Sequence, residues 1–247
     1  MDARNATVAV VGAGDYIGAA IAERFAAEGY TVFAGRRNGD QLAPLKARIE
    51  AAGGACVARG LDARKEADIA AFLAEADAHA PLEVCVFNVG ANVNFPIAET
   101  TERVFRKVWE MACYGGFLTG REAARLMRVR GGGSIFFTGA TASLRGGKGY
   151  AAFASAKFGL RGMVQAMARE LGPDNIHVAH LIIDAGVDTA FVRDRIAAAR
   201  GPQALAELAP DQLMRPSSIA ETYWRLHCQT RDAWTHELDL RPYRETW

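Results

Sequence analysis

The stretch TVAVVGAGDYIGAAIAERFAAEG at residues 7–29 decides the fold. Its first six residues, 7–12, are apolar, β-branched or glycine and carry no charge, which predicts a buried β-strand. A glycine-rich turn follows, and apolar residues at helical spacing continue from Ile17 to Gly29, where a glycine ends the helix. A strand, a glycine-rich turn and a helix in immediate succession are typical of the first unit of a parallel α/β sheet.

The same alternation continues along the chain. Short apolar runs predict strands at residues 7–12, 31–36, 55–62, 82–89, 133–140, 176–183 and 235–241. Helical patterns lie between them at Ile17–Gly29, Gln41–Ala52, Ala67–His79, Glu102–Arg128 and Ala151–Leu171. Because strands that alternate with helices run parallel, the sequence predicts an α/β fold with a doubly wound, seven-stranded parallel sheet of the Rossmann type.

Residues 1–247 are predicted to form a single domain. Half of them are hydrophobic, which is enough for a large core, and no interior stretch rich in Pro, Gly or Ser divides the chain. The 29 basic and 28 acidic residues form no long block of one sign, which argues against nucleic acid or an anionic membrane as a partner. A small molecule is the expected partner.

The cysteines and histidines show no metal-site pattern. The cysteines are Cys56, Cys85, Cys113 and Cys228. They are far apart and form no CxxC pair, so we expect neither a zinc site nor a disulfide framework. His177 and His180 lie three residues apart on a predicted strand, and hence on opposite faces. With no leader pattern at the N-terminus and no segment of membrane-spanning length, we expect a cytoplasmic protein without a bound metal.

The glycines of the first turn indicate a dinucleotide site. Gly12, Gly14 and Gly18 follow the first strand and open the first helix, where unpaired backbone N–H groups and the helix dipole attract a diphosphate. The alternative is structural, since any tight turn from strand to helix uses glycine. The position of the trio after the first strand of an alternating pattern favours the dinucleotide.

The end of the second strand bears on which dinucleotide binds. The strand ends at Gly35, Arg36 and Arg37, close to where the adenosine ribose is read. Gly35 offers no carboxylate for a 2′-hydroxyl, whereas Arg36 offers donors for a 2′-phosphate, so NADP(H) is favoured over NAD(H). The alternative is that the arginines are a solvated turn, and Asp15 places an opposing negative charge in the phosphate turn.

Six motifs, in order along the chain, resemble the short-chain dehydrogenase/reductase family. The first three are VGAGDYIG at 11–18 for the family's TGxxxGxG, Asp62 at the end of the third strand where the family contacts adenine, and FNVG at 87–90 for NNAG. The other three are FASAK at 153–157 for YxxxK, DAGVDT at 184–189 for PGxxxT, and LMRPSSIAE at 213–221 in the late helix. The resemblance implies an NAD(P)-dependent oxidoreductase. It also implies that these residues bind the cofactor: Gly12, Gly14, Tyr16, Ile17, Gly18, Arg36, Asp62, Asn88, Gly90, Lys157, Val187 and Thr189.

The departures from the family pattern concentrate at the chemistry. Tyr16 stands at the middle glycine of the first motif, and Phe153 stands at the catalytic tyrosine. Ala140 and Ala112 stand at the catalytic serine and asparagine. Of the family's catalytic four, Lys157 alone remains as a catalytic residue.

Loss of the tyrosine removes a general acid. Hydride transfer to a carbonyl produces an alkoxide that an acid must protonate, and Phe153 has no proton to give. Such a loss lowers a rate by roughly 10²–10⁴. Tyr150, one helical turn earlier, and Asp184, just past the sixth strand, are possible substitutes; a shielded Asp184 would have a raised pKa. The alternatives are a packing or entrance role for Tyr150 and a turn or cap role for Asp184.

Two functions remain open at the level of sequence. The first is an oxidoreductase that binds NADP(H) and acts on a small carbonyl or alcohol through a degenerate or rearranged site. The second is a non-catalytic dinucleotide-binding module, either a cofactor sensor or an inactive partner subunit. The resemblance also implies a homodimer or homotetramer, paired through the helices at 102–128 and 151–171. Residues 191–213, which should cover the pocket, do not reveal the substrate.

Overall fold

Seven parallel strands form one sheet in the computed structural model, which describes residues 3–246. They are β1 (Thr7–Val11), β2 (Thr31–Arg36), β3 (Ala55–Gly60), β4 (Leu82–Phe87), β5 (Gly133–Ala140), β6 (Ile176–Ile183) and β7 (Glu237–Leu240). Their order in the sheet is β3-β2-β1-β4-β5-β6-β7, and each neighbouring pair is parallel. The predicted doubly wound sheet of a single α/β domain is confirmed.

Helices connect the strands and cover both faces of the sheet. They are α1 (Ile17–Ala26), α2 (Ala43–Ala51), α3 (Glu66–His79), α4 (Glu102–Trp109), α5 (Gly115–Arg130), α6 (Ala151–Leu171), α7 (Ala190–Arg200), α8 (Gln203–Ala206) and α9 (Pro216–His227). Within residues 3–246, no helix is both long enough and apolar enough to cross a membrane.

The prediction of one continuous helix from Glu102 to Arg128 was wrong. A π-helical turn at Glu110–Tyr114 separates α4 from α5. Gly115 and Gly116 follow this turn, and glycine is a weak helix former, so the chain can leave regular α geometry there.

The prediction also placed Asp62 at the end of the third strand, whereas β3 ends at Gly60 and leaves Asp62 in the following loop.

The two faces of the sheet bury two separate apolar cores. In β1, Val8 and Val10 point to the core shared with α1, α2 and α9, whereas Ala9 and Val11 point to the core shared with α3, α5 and α6. All five residues of β1 are buried, as expected for a central strand covered on both sides. Each large apolar side chain buried in this way contributes about 1.5–3 kcal/mol. Burial on both faces holds the strand ends in fixed positions.

The chain reverses its winding direction between β1 and β4. After β1 it moves outward to β2 and β3, and it then returns to β4 on the other side of β1. The connections that leave β1 and β4 therefore diverge at the carboxyl edge of the sheet, where ligands of doubly wound sheets bind. The glycine turn after β1 lies at this point.

Close backbone contacts explain two of the three glycines in that turn. Gly12 has a φ of +95°, and a Cβ on it would lie 2.8 Å from the carbonyl carbon of Asn88. A Cβ on Gly18 would lie 2.3 Å from the carbonyl oxygen of Gly12. A side chain fits neither position, so the first turn of α1 can lie directly against the end of β1.

Candidate functional site

A cleft of about 730 Å³ opens at the carboxyl edge of the sheet. Its walls come from the glycine turn, the ends of β2 and β3, the segment after β4, the end of β5 and helix α6. The predicted site residues that line it are Gly12, Gly14, Tyr16, Ile17, Gly18, Arg36, Asp62, Asn88, Gly90, Lys157 and Thr189. Val187 lies outside this lining, where its backbone pairs with that of Met214.

The glycine turn leaves room for a ligand at one point. A Cβ added to Gly14 would meet no heavy atom of residues 3–246 within 4 Å, in contrast to Gly12 and Gly18. Helix α1 begins immediately afterwards at Ile17, and the first N–H groups of a helix lack partners within the helix. This combination of open space, backbone donors and a positive helix end can accept an anionic group.

Arg36 lies at the end of the cleft beside β2 but is already engaged. Its guanidinium donates to the Asp15 carboxylate at 2.7 Å, and the Asp15 side chain is 70% exposed. Arg37, Asn38 and Gln41 also line this end. Arg36 and Arg37 therefore both lie at this end, and Arg36 is paired with an acidic residue of the glycine turn.

Asp62 is tied to Arg64 at the same end. The Arg64 Nε donates to one carboxylate oxygen at 2.9 Å, and its Nη2 donates to the other at 2.5 Å. The hydrogen bonds from Arg64 lower the pKa of Asp62 to about 2. The carboxylate is therefore ionised and held in place beside the cleft.

Lys157 lies at the opposite end, deep beneath the cleft. Its Nζ donates to the carbonyl oxygens of Thr138 at 2.8 Å and Val89 at 3.4 Å. The side chain is 2% exposed, and burial lowers its pKa to about 8. One turn earlier on α6, the ring centre of Phe153 lies 5.8 Å from this nitrogen. Lys157 is therefore a cation that can release a proton near neutral pH.

A hydrogen-bond chain fixes Asn88 between the two ends. Its Nδ2 donates to the Gly12 carbonyl at 3.0 Å, and its Oδ1 accepts from the Thr138 hydroxyl at 2.9 Å. Because the single Thr138 proton is used there, the fully buried Tyr223 hydroxyl donates to Thr138 at 2.7 Å. The chain links α9, β5 and the glycine turn, so the orientation of Asn88 is set from three sides.

Phe153, Ala140 and Ala112 are the positions predicted from the sequence to lack proton-bearing side chains. Phe153 and Ala140 line the cleft, and Ala112 is fully buried in the π-helical turn, where its neighbour Met111 faces the cleft. Ser143 is the first residue after Ala140 that has a buried hydroxyl. This hydroxyl accepts a hydrogen bond from the Ala140 N–H at 3.2 Å. That hydroxyl stabilises the turn after β5.

The structure contradicts a raised pKa for Asp184. The side chain is fully buried, but Arg145 and Arg241 donate to it at 3.0 and 2.9 Å. Burial alone raises the pKa of this carboxyl, but hydrogen bonds from Thr141, Arg241 and Arg145 outweigh it and lower the pKa below its usual range. Asp184 is thus a fixed carboxylate that anchors two arginines, and the expectation of a raised pKa at this position was wrong.

Tyr150 is also engaged away from the cleft lining. Its hydroxyl accepts a hydrogen bond from Arg195 of α7 at 3.0 Å.

On the sheet, His177 stacks on Trp234, whereas His180 bonds to Glu237 beneath α6, so the two histidines lie on opposite faces. Among residues 3–246, no group of three His, Cys, Asp or Glu side chains is placed to hold a metal ion.

Several residues of the cleft were missed at the level of sequence. Asn38 and Gln41 directly follow Arg36, so the reasoning that selected Arg36 could have included them. Arg64 lies two residues after Asp62 and could have been recognised as its ion-pair partner. Met111 and Tyr223 had no local signal, because a π-helical turn and a contact across 85 residues bring them to the site.

The chain matches known proteins over most of its length. The family model for short chain dehydrogenases matches residues 6–199. The 3-oxoacyl-[acyl-carrier-protein] reductase MabA of Mycobacterium tuberculosis is 30% identical over 187 residues, which cover 76% of this chain and 71% of that protein. A short-chain dehydrogenase/reductase of Armillaria gallica is 31% identical over 173 residues, which cover 68% of this chain and 66% of the other.

Solved structures share the fold. The crystal structure of a short-chain dehydrogenase from Rhodopseudomonas palustris is 64% identical, with a TM-score of 0.84 over 97% of this chain and 100% of that one. A metagenomic short-chain oxidoreductase in complex with NADP is 23% identical, with a TM-score of 0.80 over 97% of this chain and 98% of that one. At 23% identity, this similarity shows a shared fold and nothing finer.

Replacement of Asp184 by Asn tests its anchoring role. Removing the charge leaves Arg145 and Arg241 without their shared carboxylate. We expect the free energy of unfolding at pH 7 to fall by about 2 kcal/mol. Breaking a fully buried ion pair costs about 3–5 kcal/mol, and the loss here is smaller because the arginines keep contact with solvent. Urea denaturation measures the loss, and the exposed Asp194→Asn should stay within about 0.5 kcal/mol of the parent.

The pH dependence gives a second readout of the same variant. Because folding lowers the pKa of Asp184, its stabilisation is complete above the ordinary carboxyl pKa of about 4 and disappears as the pH falls through the folded value. The stability gap between parent and Asp184→Asn should therefore shrink below about pH 4. A gap that is absent at pH 7 would contradict the anchoring role.

Proposed function

The chain belongs to the short-chain dehydrogenase family, and from this premise we propose that its cleft binds NADP(H) and transfers hydride to or from a small carbonyl or alcohol. The observation that carries the proposal is the arrangement of three groups along one cleft. The open position at Gly14 lies between a cationic end at Arg36 and a buried lysine, Lys157. A nicotinamide dinucleotide has groups that match all three in order.

The residues present fit such a cofactor. Gly14 leaves space where a diphosphate would lie, and the start of α1 supplies N–H donors and a positive dipole end. Asn88 and Gly90 follow β4 beside the glycine turn. Lys157 would hold the nicotinamide ribose through its remaining N–H donor.

NADP(H) is the preferred cofactor in this proposal because of charge. Arg36 and Arg37 line the adenosine end, and Gly35, where a carboxylate would select a 2′-hydroxyl, has no side chain. A 2′-phosphate has more negative charge than the Asp15 carboxylate and can take over its hydrogen bond from Arg36. Asp15 weakens the preference, because its ion pair with Arg36 must open first.

The bound cofactor would supply or accept the hydride, and the chain's residues would handle the proton. Phe153 and Ala140 have no proton to exchange, so Lys157 is the acid nearest to the reacting end of the cleft. Its lowered pKa of about 8 means that an ammonium and a neutral amine are both accessible close to neutral pH. We infer that Lys157 is the catalytic residue, which both binds the ribose and exchanges the proton.

The competing proposal is a non-catalytic dinucleotide-binding module, a cofactor sensor or an inactive partner subunit. It is favoured by one observation: the three positions around Lys157 that carry hydroxyl or amide groups in the family hold Phe153, Ala140 and Ala112. Both proposals require the same cofactor. They differ in whether any carbonyl or alcohol is turned over.

Exposed aromatic side chains and buried thiols support a proposal for the assembly and location of the protein. Four aromatic side chains on α4, α5 and α6 are 39–43% exposed, namely Phe105, Trp109, Phe117 and Phe158. Solvent-exposed aromatic residues on neighbouring helices are typical of protein–protein contacts. We propose a homodimer or homotetramer paired through these helices, in a reduced cytoplasm where the buried thiols of Cys56, Cys85 and Cys113 stay free.

Cofactor preference can be tested by titration. NADPH should bind at least about tenfold more tightly than NADH, since a charge-assisted contact to a phosphate contributes more than one to a hydroxyl. Arg36→Ala should remove the preference, and Asp15→Asn should increase it by freeing Arg36. The exposed Arg225→Ala serves as the control and should keep the parent's ratio. Equal affinities for the two cofactors in the parent, measured by calorimetry, would count against NADP(H).

Restoration of the missing hydroxyls tests the reacting end. Phe153→Tyr combined with Ala140→Ser adds one hydroxyl at each position with little change in volume. The double variant should reduce at least one carbonyl in a panel of aldehydes and ketones about tenfold faster than the parent, as followed by NADPH absorbance. Phe158→Tyr, on the exposed side of the same helix, should give no gain. If the double variant binds NADPH and gains nothing, the non-catalytic proposal becomes the better one.

The oligomer proposal predicts an effect of charge on the exposed aromatic residues. The parent should be a dimer or tetramer at micromolar concentration, and Phe117→Asp with Phe158→Asp should shift it toward the monomer, because buried charges would repel across the interface. Val129→Asp, also on α5 but 86% exposed, should leave the assembly unchanged. Light scattering gives the masses, and a monomeric parent would refute the proposal.

A further inference from the structure

The Tyr16 side chain bridges two walls of the cleft. Tyr16 lies at the start of α1, and its hydroxyl accepts a hydrogen bond from the N–H of Ala190, the first residue of α7, at 3.0 Å. Tyr16 and Thr189 both line the cleft, so the bridge lies where the glycine turn faces the start of α7. Among the other residues from Gly12 to Gly18, Asp15 alone has a polar side chain, and it is bonded to Arg36.

Helix α7 depends on polar contacts for its position. Every residue from Ala190 to Arg200 is described, and none of them is buried. Two residues directly before the helix bind it: the Thr189 hydroxyl accepts from the Val192 N–H, and the Asp188 carboxylate accepts from Arg193. More distant hydrogen bonds come from Tyr16, which accepts from the Ala190 N–H, and from Tyr150, which accepts from Arg195. An element with little buried apolar surface has a low free energy of local opening.

We propose that Tyr16 is a positioning residue that holds the start of α7 at the edge of the cleft and releases it when the dinucleotide enters. This inference rests on the proposed cofactor. The Ala190 N–H lies at the positive end of a helix of eleven residues and is bonded to a neutral phenol oxygen. A diphosphate is a stronger acceptor for such a donor, because its charge also interacts with the helix dipole. The entering cofactor therefore competes with Tyr16 for the same N–H.

The competition has a definite sign. While the tyrosine bond is intact, it stabilises the observed position of the start of α7 and opposes entry of the cofactor. A neutral hydrogen bond of this kind shifts an equilibrium by about two- to tenfold. Tyr16→Phe removes the hydroxyl and keeps the ring, so it separates the effect of the bond from the effect of the bulky side chain. The start of α7 should then open more often and admit the dinucleotide faster.

Limited proteolysis tests the bond in the protein without cofactor. Arg193, Arg195 and Arg200 are exposed trypsin sites on α7. Cleavage at these sites should be about two- to tenfold faster in Tyr16→Phe than in the parent, with an unchanged melting temperature. Tyr243→Phe, which alters a tyrosine that is 70% exposed near the C-terminus, is the matched control and should be cleaved at the parent's rate.

Stopped-flow binding tests the competition itself. The association rate of NADPH should rise about two- to tenfold in Tyr16→Phe and stay at the parent's value in Tyr243→Phe. Saturating NADPH should then give the parent and Tyr16→Phe the same rate of cleavage in α7, because the tyrosine bond is already released in both. A merely structural role for Tyr16 would lower the melting temperature and would not accelerate binding.

The outcomes separate this inference from the proposed function. Equal proteolysis of parent and Tyr16→Phe would show that the bond does not hold α7, and would overturn the inference even if NADPH binds tightly. Faster proteolysis with an unchanged association rate would overturn the competition. If neither NADPH nor NADH binds to any of the proteins, the proposed function fails and the competition fails with it, whereas faster proteolysis would still identify Tyr16 as the tether.

Discussion

The carbonyl oxygen of Gly12 is the contact on which the site depends. It accepts hydrogen bonds from the Gly14 N–H at 2.8 Å and from the Asn88 amide at 3.0 Å, and a Cβ on Gly18 would lie 2.3 Å from it. One atom at the end of β1 thereby joins the glycine turn, the segment after β4 and the first turn of α1. Any side chain at Gly18 would separate these elements and displace the start of α1 from the cleft.

Hydrogen bonds connect the glycine turn with the end of the cleft where Lys157 lies. Asn88 is held by Thr138, whose hydroxyl accepts from Tyr223 and whose carbonyl oxygen accepts from Lys157. The lysine is therefore fixed by the same residue that orients the amide beside the glycine turn. Its burial within this network lowers its pKa to about 8, which suits it to the proton exchange of the proposed chemistry.

Local sequence patterns predicted the strands and the glycine turn, because these features depend on residues that are close together in the sequence. The apolar runs of β1 and β6 and the glycines at 12, 14 and 18 are decided by burial and backbone geometry within a few residues. The parallel, doubly wound arrangement of the seven strands also followed from the alternation of strands and helices. These features need no knowledge of distant contacts.

The parts that could not be predicted depend on distant residues. The sign of the pKa shift of Asp184 is set by Arg145 and Arg241, 39 and 57 residues away, so burial alone gave the wrong expectation. The Tyr16 hydroxyl meets an N–H 174 residues later in the chain. Such contacts arise only when α7 and the loops after β5 and β7 have folded over the sheet.

A crystal structure of the protein soaked with NADP tests the central claim most directly. We expect the diphosphate at Gly14 and the start of α1, the 2′-phosphate against Arg36, and the nicotinamide ribose within hydrogen-bonding distance of Lys157 Nζ. Arg36 should then have left Asp15. A cleft without dinucleotide at millimolar NADP, or a dinucleotide bound with its nicotinamide toward Arg36, would contradict the assignment of this cleft as an NADP(H) site.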